Sequence, residues 1–346
     1  MALRVGIVGM GFGARQIPGF RAAGWEVTAI CASRPERAAA AAKEFAVETG
    51  VTDVSALARR DDVDLVSIAS PPHVHREHVL AALAARKHVL CEKPFASNVH
   101  EAREMLDVAE SARVVHAVDH EFRYTSARGK VKELLGERAI GDVRLVLIMG
   151  MTGGLVDPKQ ARQEWWLRRD RAGGILGALG SHWIDSLRWW LGDIARVSCE
   201  LGVSTPSRPT TDGGITDVTA DDTAQVLLRM RSGAIATIQL SSAVHHPSRR
   251  VILYGSAGTI VIGGDGRVLV ARGGGTLEEV LPDAPPDESG RAFAELARRL
   301  RAHIEQGPTG VSDAPHPTFA DGLAVQEVLD AAYRSADIGG AVAVAS

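Results

Sequence analysis

The chain has 346 residues, of which 45% are hydrophobic and 23% charged, and its net charge is −3. That length suggests two domains, with enough apolar material to bury sizeable cores. So small a charge gives no reason to expect nucleic acid or an anionic membrane as partner, and no apolar run reaches membrane-spanning length.

The segment from Leu3 to Val8 reads as a short apolar strand. Gly9, Gly11 and Ala14 follow it in the spacing G-x-G-x-x-G/A. In that pattern the first glycine permits a tight turn and the second lets a pyrophosphate approach bare backbone. The third small residue lets the next helix pack on the strand. Gly9, Met10, Gly11, Phe12, Gly13 and Ala14 are therefore candidate dinucleotide-binding residues, with the phosphates on the amides of the helix N-terminus. The chain enters this strand at once, leaving no room for a secretory leader. Cys31, Cys91 and Cys199 are few, scattered and odd in number, which points to reduced thiols in a cytoplasmic protein. No Cys/His cluster has zinc-site spacing, so no metal is expected.

A helix over 14–23 contains Pro18, where an irregularity is expected. The strand over 25–32 ends where a dinucleotide site usually places an acid for the ribose hydroxyls. Ala32 takes that place, Ser33 and Arg34 follow, and Arg37 lies one helical turn on. No acid repels a 2′-phosphate there, and Arg34 can bind one in bidentate fashion. This favours NADP, with NAD as the alternative. Helices over 35–45 and 54–60 and a buried-type strand over 64–69 come next. Ser70-Pro71-Pro72 stops that strand and frees the chain to pass beneath a cofactor. His73, His75 and His78 lie in or before the first turn of a helix over 75–85. Cofactor contact, by His75 among them, and plain surface positions are both open readings, whereas metal ligation is not expected.

A strand over 88–91 leads to Glu92-Lys93-Pro94. A lysine at the C-terminal edge of a parallel strand sits in the crevice where such sheets bind ligands. Near a nicotinamide its ammonium can hold a substrate oxygen, and the plainer alternative is a surface lysine before a turn. Ser97 or Asn98 caps a helix over 99–111, and a strand over 114–118 follows. This alternation predicts a doubly wound parallel sheet.

The pattern changes after Asp119. A helix over 127–135 and a strand over 143–149 precede a segment rich in Trp and Arg. Gly173-Gly174 and Gly180-Ser181-His182 then open a helix that ends near 191. Strands dominate from 195 to 271 and lie too close together for helical crossovers, so this sheet is expected to be mostly antiparallel. Gly/Pro-rich stretches over 202–214 and 273–290 read as surface loops. Two helices, over 291–305 and 318–336, close the chain. The expected domains are 1–120, a Rossmann unit, and 121–346, an α+β unit on a large open sheet, with the C-terminal helix able to pack back on the first. The open sheet face suggests a homodimer or homotetramer.

With Gly9-x-Gly11-x-x-Ala14, Ser70-Pro-Pro-His-Val-His75, Glu92-Lys93-Pro94 and the Gly173–Asp185 segment in view, the chain resembles the Gfo/Idh/MocA oxidoreductases. The resemblance implies hydride transfer between NAD or NADP and a carbon of a sugar, cyclitol or related polyol. It also implies that Ser70, Pro71, His75, Glu92, Lys93 and Pro94 line the cofactor, that Lys93 is a catalytic lysine, and that His182 transfers the proton. Many members carry an Asp four residues before that histidine, where this chain has Ala178. Asp185, one turn past His182, can pair with it instead, or Lys93 and His182 act as a two-member relay. An imidazole ordinarily titrates near ~6.5, which suits proton exchange at neutral pH. Arg123, Tyr124, Trp165, Trp166 and Arg168 are candidate pocket residues for a carbohydrate-like substrate. Two alternatives stand beside simple hydride transfer. One is elimination or glycoside cleavage with transient cofactor oxidation. The other is a non-catalytic NADP-sensing regulator.

Overall fold

A computed structural model of the chain describes residues 2–307 and 315–344. The chain divides into two units, Met1–Tyr124 with Ser289–Ala324, and Thr125–Glu288 with Val325–Ser346.

In the first unit strand and helix alternate: β1 (Arg4–Val8), α1 (Gly13–Ala22), β2 (Glu26–Cys31), α2 (Pro35–Glu44), β3 (Thr49–Val51), α3 (Val54–Ala58), β4 (Leu65–Ile68), α4 (His75–Ala84), β5 (His88–Cys91), α5 (Val99–Ala112) and β6 (His116–Val118). The strands pair in parallel in the order β3-β2-β1-β4-β5-β6. Strand order reverses between β1 and β4, and such sheets bind ligands beyond the carboxyl ends of the strands at that point. β4 is buried at every position, as a sheet covered on both faces requires. α1 runs unbroken through Pro18, and Asn98 caps α5 by accepting the Glu101 N–H.

The second unit holds α6 (Ser126–Gly136), β7 (Val143–Met151), α7 (Ser181–Leu191), β8 (Ile194–Gly202), β9 (Ser207–Pro209), β10 (Ile215–Asp217), β11 (Thr223–Met230), β12 (Ile235–Ser241), β13 (Ser248–Gly255), β14 (Gly258–Ile262), β15 (Val268–Arg272) and β16 (Glu278–Leu281). The chain then runs through α8 (Glu288–Gln306), α9 (Phe319–Ile338) and β17 (Val342–Ala343). Nine strands form one sheet, in the order β16-β15-β14-β13-β7-β12-β11-β8-β17 among the described residues. Its pairs are antiparallel except β12 with β7. One face packs on Ile184, Leu187 and Trp190 of α7 and on Val328 and Leu329 of α9.

Two expectations need correcting. The stretches read as loops contain β9 and β16, short edge strands whose apolar content is too low to stand out. A second domain of 121–346 does not hold together as one piece, because 289–324 belongs to the first unit. Phe293 of α8 meets the edge of the Phe20 ring at 5.1 Å, and Phe319 of α9 packs on Phe95 at 4.6 Å. Both faces of the parallel sheet need apolar cover, and these helices supply part of it.

Candidate active site

Gly9 leaves β1 at φ +91°. A Cβ there would lie 2.5 Å from the Ala69 carbonyl oxygen, so the turn and the close approach both demand glycine. At Gly13 a Cβ would lie 2.6 Å from Ile7 Cγ2. The tight helix–strand contact expected at Ala14 therefore falls on Gly13, and Ala14 is half-buried. Gly11 faces open space, since an added Cβ meets nothing within 4 Å. Met10 and the exposed Phe12 flank it. α1 has no acidic residue in its first turn and no side-chain cap, so its positive dipole end is left for an anion. This cradle of bare backbone fits a dinucleotide's pyrophosphate.

Beyond β2, Ala32 is buried, whereas Ser33, Arg34 and Arg37 are exposed. Ser70 closes the turn after β4, with Pro71 half-buried beside it. Its hydroxyl pairs with His78 Nδ1 at 2.9 Å, and its carbonyl lies 2.8 Å from His75 Nε2. His75 Nδ1 lies 3.2 Å from the Phe95 carbonyl. The expected dinucleotide contact by His75 is corrected here. The ring is fully buried, burial pulls its pKa down to about 4, and it bridges two backbone segments with no exposed atom.

Lys93 follows β5, and its peptide to the buried Pro94 is cis. The Lys93 ammonium lies 5.5 Å from the Phe12 ring centroid, so the lysine reaches the glycine turn. Glu92 follows directly on β5. It is buried, with Oε1 accepting from Gln16 Nε2 at 2.9 Å and Oε2 accepting the Lys93 N–H at 3.3 Å. Gln16 also donates to Asp119 Oδ2 at 3.0 Å. Sequence reasoning missed this network. The available signal was Gln16 itself, a polar residue on the α1 face shared by Gly13, Ile17 and Phe20.

In the second unit a π-helical turn, Leu176–Gly180, leads into α7 and contains Ala178. Such turns recur at functional sites. Asp221 Oδ2 accepts the Leu176 N–H at 2.7 Å, and burial raises the Asp221 pKa to about 6. His182 and Asp185 lie at the start of α7, 3% and 1% exposed and one turn apart. The Arg128 guanidinium stacks 3.9 Å from the Trp183 ring centroid. Trp165 and Trp166 meet edge to face at 5.6 Å, and Arg168 pairs with Asp170 at 3.1 Å.

Arg123 and Tyr124 are half-buried in the first unit. The Arg123 guanidinium is 10% exposed and donates to Asp321 Oδ1 at 2.8 Å. The Tyr124 hydroxyl donates to the Pro315 carbonyl at 3.2 Å, and Arg299 stacks on its ring. Both side chains fasten the returning C-terminal segment of the first unit. Among the described residues no three His, Cys, Asp or Glu side chains are grouped to hold a metal, and no helix is long and apolar enough to cross a membrane.

The strand order and the glycine cradle define an oxidoreductase-type Rossmann unit, here followed by a large mixed-sheet domain. The family model described as an oxidoreductase family with an NAD-binding Rossmann fold matches residues 3–120, and the GFO/IDH/MocA C-terminal domain matches 129–261. The chain belongs to the Gfo/Idh/MocA oxidoreductase family. It is 30% identical to a 1,5-anhydro-D-fructose reductase of Ensifer adhaerens, over 93% of this chain and 95% of the relative. It is 28% identical to a levoglucosan dehydrogenase of Pseudarthrobacter phenanthrenivorans, over 89% of this chain and 86% of the relative. A solved levoglucosan dehydrogenase in complex with NADH superposes with TM-score 0.90 at 27% identity, covering both chains fully.

Proposed function

We propose that the chain transfers a hydride between NADP, in preference to NAD, and a carbinol or carbonyl carbon of a sugar, anhydro-sugar or related polyol. The observation that carries this is Lys93 reaching the glycine turn of a cradle built for a dinucleotide. The nicotinamide, when bound, supplies the carbon that gives or takes the hydride. Lys93 holds and polarises the substrate oxygen, because a fixed ammonium favours the charge that develops there. His182 exchanges the hydroxyl proton, with Asp185 orienting it in place of the acid that Ala178 lacks. Trp166 and Arg168 lie on the substrate side.

The NADP preference rests on Arg34 and Arg37, exposed beyond β2 where no acid repels a 2′-phosphate. The names of the relatives support small carbohydrate rings as substrates. We place the protein in the cytoplasm, in keeping with three buried free cysteines, and expect it to self-associate as a dimer or tetramer. The deciding experiment offers anhydro-sugars, aldoses and cyclitols with each cofactor and follows the absorbance of the reduced nicotinamide. Turnover with at least one ring substrate, faster with the phosphorylated cofactor, is expected. No turnover with any of them overturns the reading.

A further inference from the structure

Two acids lie buried beside Lys93, and hydride transfer needs neither as a proton carrier. Glu92 is 8% exposed and Asp119 is 2% exposed. Both accept from one amide nitrogen, Gln16 Nε2, at 2.9 and 3.0 Å. Ser67 Oγ donates to Gln16 Oε1 at 2.7 Å. The two carboxyl groups set the amide's orientation, since the reverse would turn its oxygen toward both of them. One amide nitrogen thus draws both carboxyl groups together. Asp119 Oδ1 is buried and has no partner among the described residues.

Two carboxylates held this close in a dry site cannot both ionise cheaply. Burial, then the neighbouring Glu92, hold the Asp119 carboxyl well above the usual carboxylate range. The other groups facing Asp119 are Lys93, which opposes this, and Glu121, which reinforces it. Cys91, which precedes Glu92, is itself held as a neutral thiol by burial. Gln16 stands three residues past Gly13, so the amide that spans the acids also belongs to the helix that opens the dinucleotide cradle.

We infer that Glu92 and Asp119 share one proton at neutral pH, and that the single negative charge left on the pair positions the Lys93 ammonium. A neutral pair offers the ammonium no such charge. The positioning of Lys93 rests on the hydride-transfer reading, whereas the shared proton does not.

Infrared spectroscopy of the whole chain without substrate reads the proton directly. A carboxylic-acid C=O band is expected at neutral pH, shifted in D2O, lost at alkaline pH, and missing from both Asp119→Asn and Glu92→Gln. A wild-type spectrum with no such band, or variants that lose only carboxylate bands, overturns the shared proton. Carbon relaxation at the Lys93 side chain reads the positioning. Each single variant leaves one charge and an ordered Lys93. The double variant leaves none, and Lys93 becomes as mobile as the exposed Lys43. A single variant that frees Lys93 as fully as the double overturns the positioning role. An acid band in a protein that turns over no sugar supports the shared proton and overturns the hydride-transfer reading alone.

Discussion

An exposed guanidinium gains little from a surface ion pair, but a phosphate monoester offers it two oxygens at once. Arg34 stands beyond the end of β2 with Ala32 buried behind it, and its backbone is extended at the start of α2. Removing that charge leaves the NADH contacts untouched. Arg34→Ala is therefore expected to weaken NADPH binding about tenfold and NADH binding hardly at all, which is roughly 1.4 kcal/mol of discrimination. Fluorescence titration with both reduced cofactors measures it, and an equal loss for the two would refute the assignment. The proposed relay makes a second demand on single residues. Removing a positioned acid, base or charge costs about 10²–10⁴-fold in rate. Lys93→Ala and His182→Ala should each lower single-turnover hydride transfer by that much. His182→Ala should still bind NADPH as the parent does, because α7 carries no part of the phosphate cradle. If His182→Ala reacts as fast as the parent, the proton comes from elsewhere.

The elements that hold these side chains differ in how they are secured. The π-helical turn before α7 depends on Asp221, whose Oδ2 takes the Leu176 N–H while its backbone carbonyl takes the Ile175 N–H at 2.9 Å. Asp221→Ala orphans a buried donor, which costs about 1–3 kcal/mol. Asp221→Asn keeps an acceptor there and should lose much less. Thermal unfolding of the two variants separates these outcomes, and equal destabilisation would show that the charge rather than the hydrogen bond holds the turn. The long elements were legible in the sequence because periodicity and length agree in them. β4 reads as a mostly apolar run broken only by Ser67, and β11 alternates buried and exposed positions. β3, β9, β10 and β17 have two or three residues each, too few for any period to register. The glycine turn was legible because its demands are local. The Gln16–Asp119 contact joins residues 103 apart in sequence, and only the strand order brings them together. The partners of Arg123 and Tyr124 were illegible for the same reason, since they arrive from the far end of the chain.

Stability of the whole molecule should carry the signature of its buried histidines. His75, His116 and His316 each have a pKa of about 4, with burial the first cause in every case. His316 Nε2 lies 2.9 Å from His303 Nδ1, and both of these rings also oppose a charge on His116. In the unfolded chain an imidazole titrates near ~6.5. Between these values the unfolded state binds protons that the folded state does not. The contribution of these histidines is thus complete above about pH 6.5 and is lost as the pH falls toward 4, by up to ~1.4 kcal/mol per pH unit for each. Asp221 works in the opposite sense. Its pKa of about 6 lies above the ordinary carboxylate value, so its contribution is present at low pH and is lost as the pH rises through about 6. Asp119, also held above the usual carboxylate range, works in the same sense as Asp221, but three histidines outweigh two aspartates, and the urea midpoint is expected to drop steadily from about pH 6.5 to about pH 4.5. The double variant His116→Gln/His316→Gln removes two of the three groups. Whatever it does to the midpoint at neutral pH, its midpoint should fall less steeply on acidification. A parent protein whose midpoint is flat across that window, or a double variant with an undiminished slope, would refute this account of the first unit's core.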